Sequence, residues 1–156
     1  MEGHSFERLK RHIIPLSLSG AFDVAKSEWD LIGVEITEEF DNCPCGQNIK
    51  EHCFIKNRLT NHQTYVGNVC INRFMGIATG PLFEGLKRIA ADTSANANDA
   101  VIEFSYKMGY LYGEGEYNFL KRTKLKRNLS AKQIAWKQKI NRRIVAGTVV
   151  RRRTSL

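Results

Sequence analysis

The chain contains no run of the ~18 to 20 apolar residues that would cross a bilayer, and its start, MEGHSFERLKRH, has no apolar core of a secretory signal. A cytoplasmic setting is expected, with no membrane among its partners. The phosphate-binding motif G-x-x-x-x-G-K-[ST] and the nucleophile motif G-x-S-x-G are both missing, and GEGEYNF lacks the third glycine and the preceding strand of a dinucleotide loop. No small-molecule substrate is indicated. Proline is scarce, at 3 residues in 156, and there is no internal repeat or low-complexity tract. With 42% hydrophobic and 26% charged residues the composition is that of a folded protein rather than a disordered or fibrous one.

The most informative absence is of acid. Residues 121–156 hold thirteen Lys and Arg and not one Asp or Glu, whereas residues 1–40 carry four basic and eight acidic side chains and residues 41–120 carry seven and eight. The entire formal excess of +8 therefore lies in the last stretch. Surfaces made for solubility intersperse both signs. An unopposed cationic run is the expected footprint of phosphate contacts along DNA or RNA. The side chains in view are Lys121, Arg122, Lys124, Lys126, Arg127, Lys132, Lys139, Arg142, Arg143, Arg151, Arg152 and Arg153. Lys137 lies in the same run, and Lys50, Lys56, Arg58 and Arg73 are second candidates. An acidic or phosphate-binding groove of a host protein complex is the other partner such a surface fits.

Local patterning predicts an α+β chain, mostly helical around a central hairpin. A short helix near 6–14 stops at Pro15, and a second, with Ser19 as its cap, runs from about 21 to 29. LIGVEITEEF alternates Ile32, Val34 and Ile36 with smaller or polar residues, as a half-buried strand does. Gly80 and Pro81 open a helix that presents Leu82, Leu86, Ile89 and Ala90; TSANAN breaks it. A further helix covers about 99–110, and a short helical piece follows GEGE to Phe119 and Leu120. Ser130 and Gln133 form a capping-box pattern before Trp136, Ile140 and Ile144, which read as core anchors of a helix ending near Gly147. The domain is drawn as one unit over 1–147, with a zinc module at about 41–76 and a helical part at about 81–147. Residues 148–156 are expected to be a flexible basic tail.

All four cysteines fall between positions 43 and 70, spaced C-x-C-x7-C-x16-C. In a reducing compartment such clustering points to metal more than to disulfides. Four soft thiolates about 2.3 Å from zinc make a closed, structural site, so Cys43, Cys45, Cys53 and Cys70 are the expected ligands of Zn2+. Gly46 permits a tight knuckle. EHCFIKN reads as a strand, RLTNHQ as a turn, TYVGN as the returning strand, and Asn68 as the cap of a helix that places Cys70 in its first turn. His52 is the substitute ligand. Since neighbouring strand residues face opposite ways, His52 and Cys53 cannot both reach one ion.

Knuckle, hairpin and helix together resemble a treble-clef zinc finger, on Cys43-Pro44-Cys45-Gly46, the strand around Cys53, and Gly67-Asn68-Val69-Cys70. The chain departs from that family in its C-x-C knuckle and in drawing a ligand from a strand. The C-x-C-G, C, G-N-x-C pattern also resembles small proteins of bacteriophages and mobile elements, which implies a phage setting. Some treble-clef cores carry a metal-dependent nuclease, and His52 and His62 make that the alternative chemistry. No Asp-His pair or paired-carboxylate cluster accompanies either histidine in the sequence, so the expected role is binding rather than catalysis. The expectation is a zinc-binding, nucleic-acid-binding accessory protein; the second reading is an inhibitor or modulator of a host defence or transcription machine.

Overall fold

The computed structural model describes residues 3–151. Its described part is mixed helix and sheet, with seven α-helices and one three-stranded antiparallel sheet. Where the sequence draws one domain, backbone packing divides the chain into two compact units, Met1–Thr79 and Gly80–Leu156.

In the first unit, α1 (Gly3–Ile13) buries Leu9 and Ile13, and Pro15 sits in the 3-10 turn Ile14–Leu16 that ends it. The second expected helix is cut short. α2 (Phe22–Ala25) is a single turn, followed by the 3-10 turn Lys26–Glu28. The cause is Glu28, which turns inward at 4% exposure. Its carboxylate accepts the amides of Leu18 and Ser19, at 2.8 and 3.0 Å, and Asn57 Nδ2 at 2.9 Å. Of the three donors only the Asn57 side-chain amide is fully buried, and leaving it without that carboxylate would be costly. Ser19 is not the cap of α2; its hydroxyl accepts the Ala21 amide in a local turn.

Trp29 then enters β1 (Trp29–Asn42), which pairs with β2 (Asn48–Asn57); β2 pairs in turn with β3 (Gln63–Gly67). The order is β1-β2-β3. Val34 lies opposite Cys53 and Cys53 opposite Val66. The register slips between Leu31 and Gly33 and again between Ile36 and Asp41. Ile36, the last paired residue before the second slip, is 39% exposed, against the simple alternation read from the sequence. β3 runs directly into α3 (Asn68–Met75), capped by Gly67 rather than Asn68 and closed by Gly76 at φ +69. Phe74 of α3 packs on Trp29 and Phe22.

The second unit consists of α4 (Gly80–Ala91), α5 (Asp99–Met108), α6 (Glu114–Thr123) and α7 (Ala131–Ala146). Phe83, Ile89, Val101, Ile102, Phe119, Leu120 and Ile140 fill its core. The capping box forms as read: Ser130 Oγ accepts the Gln133 amide at 3.2 Å and Gln133 Oε1 accepts the Ser130 amide at 3.0 Å. Gly147, at φ +65, closes α7. Beyond it the chain is held rather than free through Arg151. The amides of Val150 and Arg151 donate to the Gly109 carbonyl at 2.8 and 3.1 Å. The rest of the expected tail, including Arg152 and Arg153, lies outside the described residues.

Candidate metal centre and basic surface

After β1 the backbone tightens, with the Gly46 amide donating to the Cys43 carbonyl and the Cys43 amide to the Gln47 carbonyl, both at 2.8 Å. Gly46 takes φ +97, a conformation that side chains resist. This knuckle presents Cys43 and Cys45, and the first turn of α3 presents Cys70. The three Sγ atoms lie within 4.8 Å of one another, and the residues are 3%, 2% and 5% exposed. Sulfurs at the corners of a zinc tetrahedron stand about 3.8 Å apart, and Cys43 and Cys70 are already at 3.6 Å. Soft thiolates without hard oxygen ligands suit zinc among the common divalent ions. The trio therefore fits a metal ion.

The electrostatics of the group favour a thiolate at Cys43. Cys43 and Cys70 share one proton in a hydrogen bond between their sulfurs, and that bond, with the Gly67 amide at 3.3 Å, brings the Cys43 pKa down to about 5. Cys70, on which the shared proton is held, is raised. Cys53 is not in the group of three. It is fully buried on β2, and burial pushes its thiol up to about 12. All four cysteines are free of disulfides.

The histidines have other partners. His52 is 5% exposed, stacks near Phe54 and Tyr65, and its Nε2 meets Asp41 Oδ2 at 3.2 Å, while its buried Nδ1 has no hydrogen bond. The Asp41–His52 pair is invisible in the sequence because eleven residues and a register slip separate the two. The Asn42 amide, and after it His52, hold the Asp41 carboxyl below its usual range. His62 hydrogen-bonds the Leu16 carbonyl at 3.2 Å.

Among the described residues, the cations of 121–156 do not form one surface. Lys121 is bonded to Asp99 and Glu103, at 2.9 and 2.6 Å, which raises its pKa. Lys124 meets Asp99 at 2.8 Å. Arg143, expected on the phosphate-binding face, is instead turned in against Glu116 at 2.6 Å, the two side chains being 9% and 10% exposed. Lys137 is fully buried. Arg151 folds over Tyr106, its guanidinium donating to the carbonyls of Leu111 and Tyr106, so it serves the fold. Arg122 lies over the Phe119 ring. Arg122 is exposed as well, and Lys126, Arg127, Lys132, Lys139 and Arg142 are exposed with no ion pair and no ring contact among the described residues.

Trp136 also departs from expectation. It shares the spacing of Ile140 and Ile144, but they are buried and it is 38% exposed. Position 136 lies on the rim of the buried stripe of α7, and its indole packs flat on Phe119 at 4.1 Å and 19°. No helix of the described residues is long and apolar enough to cross a membrane. Comparison of the chain with protein-family models, with curated proteins and with solved structures gives no match.

Proposed function

We propose that this chain is a zinc-containing, nucleic-acid-binding accessory protein, in which the metal shapes the first unit and the exposed cations of the second contact phosphates. The observation that supports binding is the set Lys126, Arg127, Lys132, Lys139 and Arg142, exposed and unpaired in a stretch that contains no acid. Opposing carboxylates would neutralise such charges on the protein itself; without them the counter-charge must come from solvent ions or from a polyanion, and release of condensed ions from a nucleic acid favours the latter.

The zinc reading is supported by the all-sulfur donor set and its burial. Cys43, Cys45 and Cys70 hold the ion, joining the knuckle to α3 in a treble-clef-like arrangement, and the fourth coordination position is filled by a ligand from outside the trio. Cys53, with its proton held by burial, serves as a core residue. Metal binding in small zinc modules contributes on the order of 10 kcal/mol to folding, so the ion acts on shape and performs no chemical step.

Two measurements on the purified full chain test the reading. Elemental analysis is expected to give about one zinc per chain. Cys43→Ser and Cys45→Ser lose the ion and melt about 10 °C lower or more, while Cys53→Ala retains it. Replacing the five exposed cations with Gln is expected to leave the circular dichroism unchanged and abolish retention on an oligonucleotide. A metal-free protein that stays folded in a strong chelator would overturn the zinc half. Unaltered oligonucleotide binding by the five-Gln variant would overturn the other.

A further inference from the structure

Burying the large apolar surface of a tryptophan is favourable, yet Trp136 is held 38% exposed. One face rests on Phe119, and its Nε1 donates to Glu116 Oε2 at 3.4 Å. Among the described residues no second ring and no cation covers the other face. The same Glu116 carboxylate accepts Arg143 and, through Oε1, the Tyr112 amide at 2.8 Å. Arg143 in turn lies over the Tyr112 ring, 4.5 Å from its centroid, and Tyr112 is 65% exposed. One largely buried ion pair thus orients two exposed aromatic rings, a costly arrangement if neither ring is used.

The exposed charges beside Trp136 on α7 are all cations. Lys132 and Lys139 stand four residues before and three after Trp136, so both flank it on the solvent side of α7. Both are exposed. Arg122 reaches the Phe119 ring on which the indole rests, with its guanidinium 5.6 Å from the centroid. Glu116, the acid at the centre, is already bonded to Arg143 and is 8% exposed, so it presents little charge outward. Flat rings amid unpaired cations match one chemistry: bases that stack and phosphates that alternate with them. Duplex bases are stacked on each other and offer the rings nothing.

We infer that Trp136 and Tyr112 form a stacking platform for unpaired bases, with Lys132 and Lys139 on the adjoining phosphates, so that the ligand is single-stranded nucleic acid. This rests on the nucleic-acid reading above and narrows it, turning a general phosphate-binding surface into one that distinguishes single strands from duplex.

The experiment uses the full chain with oligothymidylate of about 15 nucleotides, a length within the reach of such sites, and a duplex of equal length at the same salt. The single strand is expected to bind about tenfold more tightly and to quench tryptophan fluorescence, since Trp29 is only 3% exposed and the signal reports Trp136. Trp136→Ala is expected to weaken single-strand binding by about tenfold, the size of one stacked base, without altering duplex binding; Trp136→Phe retains most of the affinity. Tyr112→Ala, at a position that leaves the core intact, is expected to act in the same direction and covers the case in which the Trp136→Ala variant fails to fold. Equal affinity for both probes, or binding without quenching, would overturn the inference and leave the nucleic-acid reading standing. Failure of both probes to bind would overturn the two together.

Discussion

Lys137 is a charge that the fold takes out of water without giving it a carboxylate. It is fully buried; its ammonium donates to Asn96 Oδ1 and to the Thr123 carbonyl and lies 5.7 Å from the Phe119 ring centre. Burial brings its pKa down to about 8, while the unfolded chain has an ordinary lysine near 10.4. Between those two values the unfolded state binds more protons, so stability from this group rises with pH. Below about pH 8 the cost of burying the charge is present in full; above about 10.5 it is gone. Relative to Lys137→Met, which has no such cost, the native protein is expected to gain on the order of 2 to 3 kcal/mol in denaturant unfolding between about pH 7.5 and 10.5. A difference that stays flat with pH would show that the ammonium is solvated. In the sequence Lys137 looks the same as Lys132 and Lys139. What separates them is Asn96, forty-one residues away, and a helical phase that puts 137 in line with Ile140 and Ile144. Arg143 is unreadable for the same reason, because Glu116 decides its fate from another helix. That Cys43, Cys45 and Cys70 come together in a group able to hold a metal ion is legible in their clustering. That Cys53 stands apart from the trio depends on strand register, which spacing does not carry.

At the scale of elements, the ends marked by capping chemistry are the ones the sequence locates best. α7 starts after Ser130 and stops at Gly147, and α4 starts at Gly80, because those signals act within three or four residues. The failures have longer range. α2 ends early where Glu28 is held by Leu18, Ser19 and Asn57, and β1 loses its alternation from Glu35 onward, where both faces of the strand are largely exposed. Gly85, in the middle of α4, shows how local propensity is overridden. Alanine in a helix interior is worth about 1 kcal/mol over glycine. Here a Cβ would stand 2.5 Å from Val101 Cγ2 and 2.7 Å from Asn98 Oδ1. Asn98 caps α5 by accepting the Val101 amide at 2.9 Å and donates to the Pro81 carbonyl, so it cannot yield without uncapping a helix. Gly85→Ala is accordingly expected to destabilise the protein by about 1 to 3 kcal/mol in thermal unfolding. Stabilisation would mean that α4 and α5 separate more readily than their packing implies.

For the molecule as a whole, charge available for binding differs from charge written in the chain. Of the thirteen cations in 121–156, Lys121, Lys124 and Arg143 are in ion pairs, Lys137 is buried, and Arg151 is bonded to backbone carbonyls. Arg122 is drawn onto Phe119, and Arg152 and Arg153 lie outside the described residues. Five are left. Each cation that neutralises a phosphate on a single strand contributes about −0.7 to the slope of log affinity against log salt concentration. The most direct measurement is therefore that slope for the full chain on oligothymidylate. Five contacts give about −3.5, and each of Arg152 and Arg153 that engages adds about −0.7. A slope in that range is the expected result; affinity indifferent to salt would contradict the account at its centre.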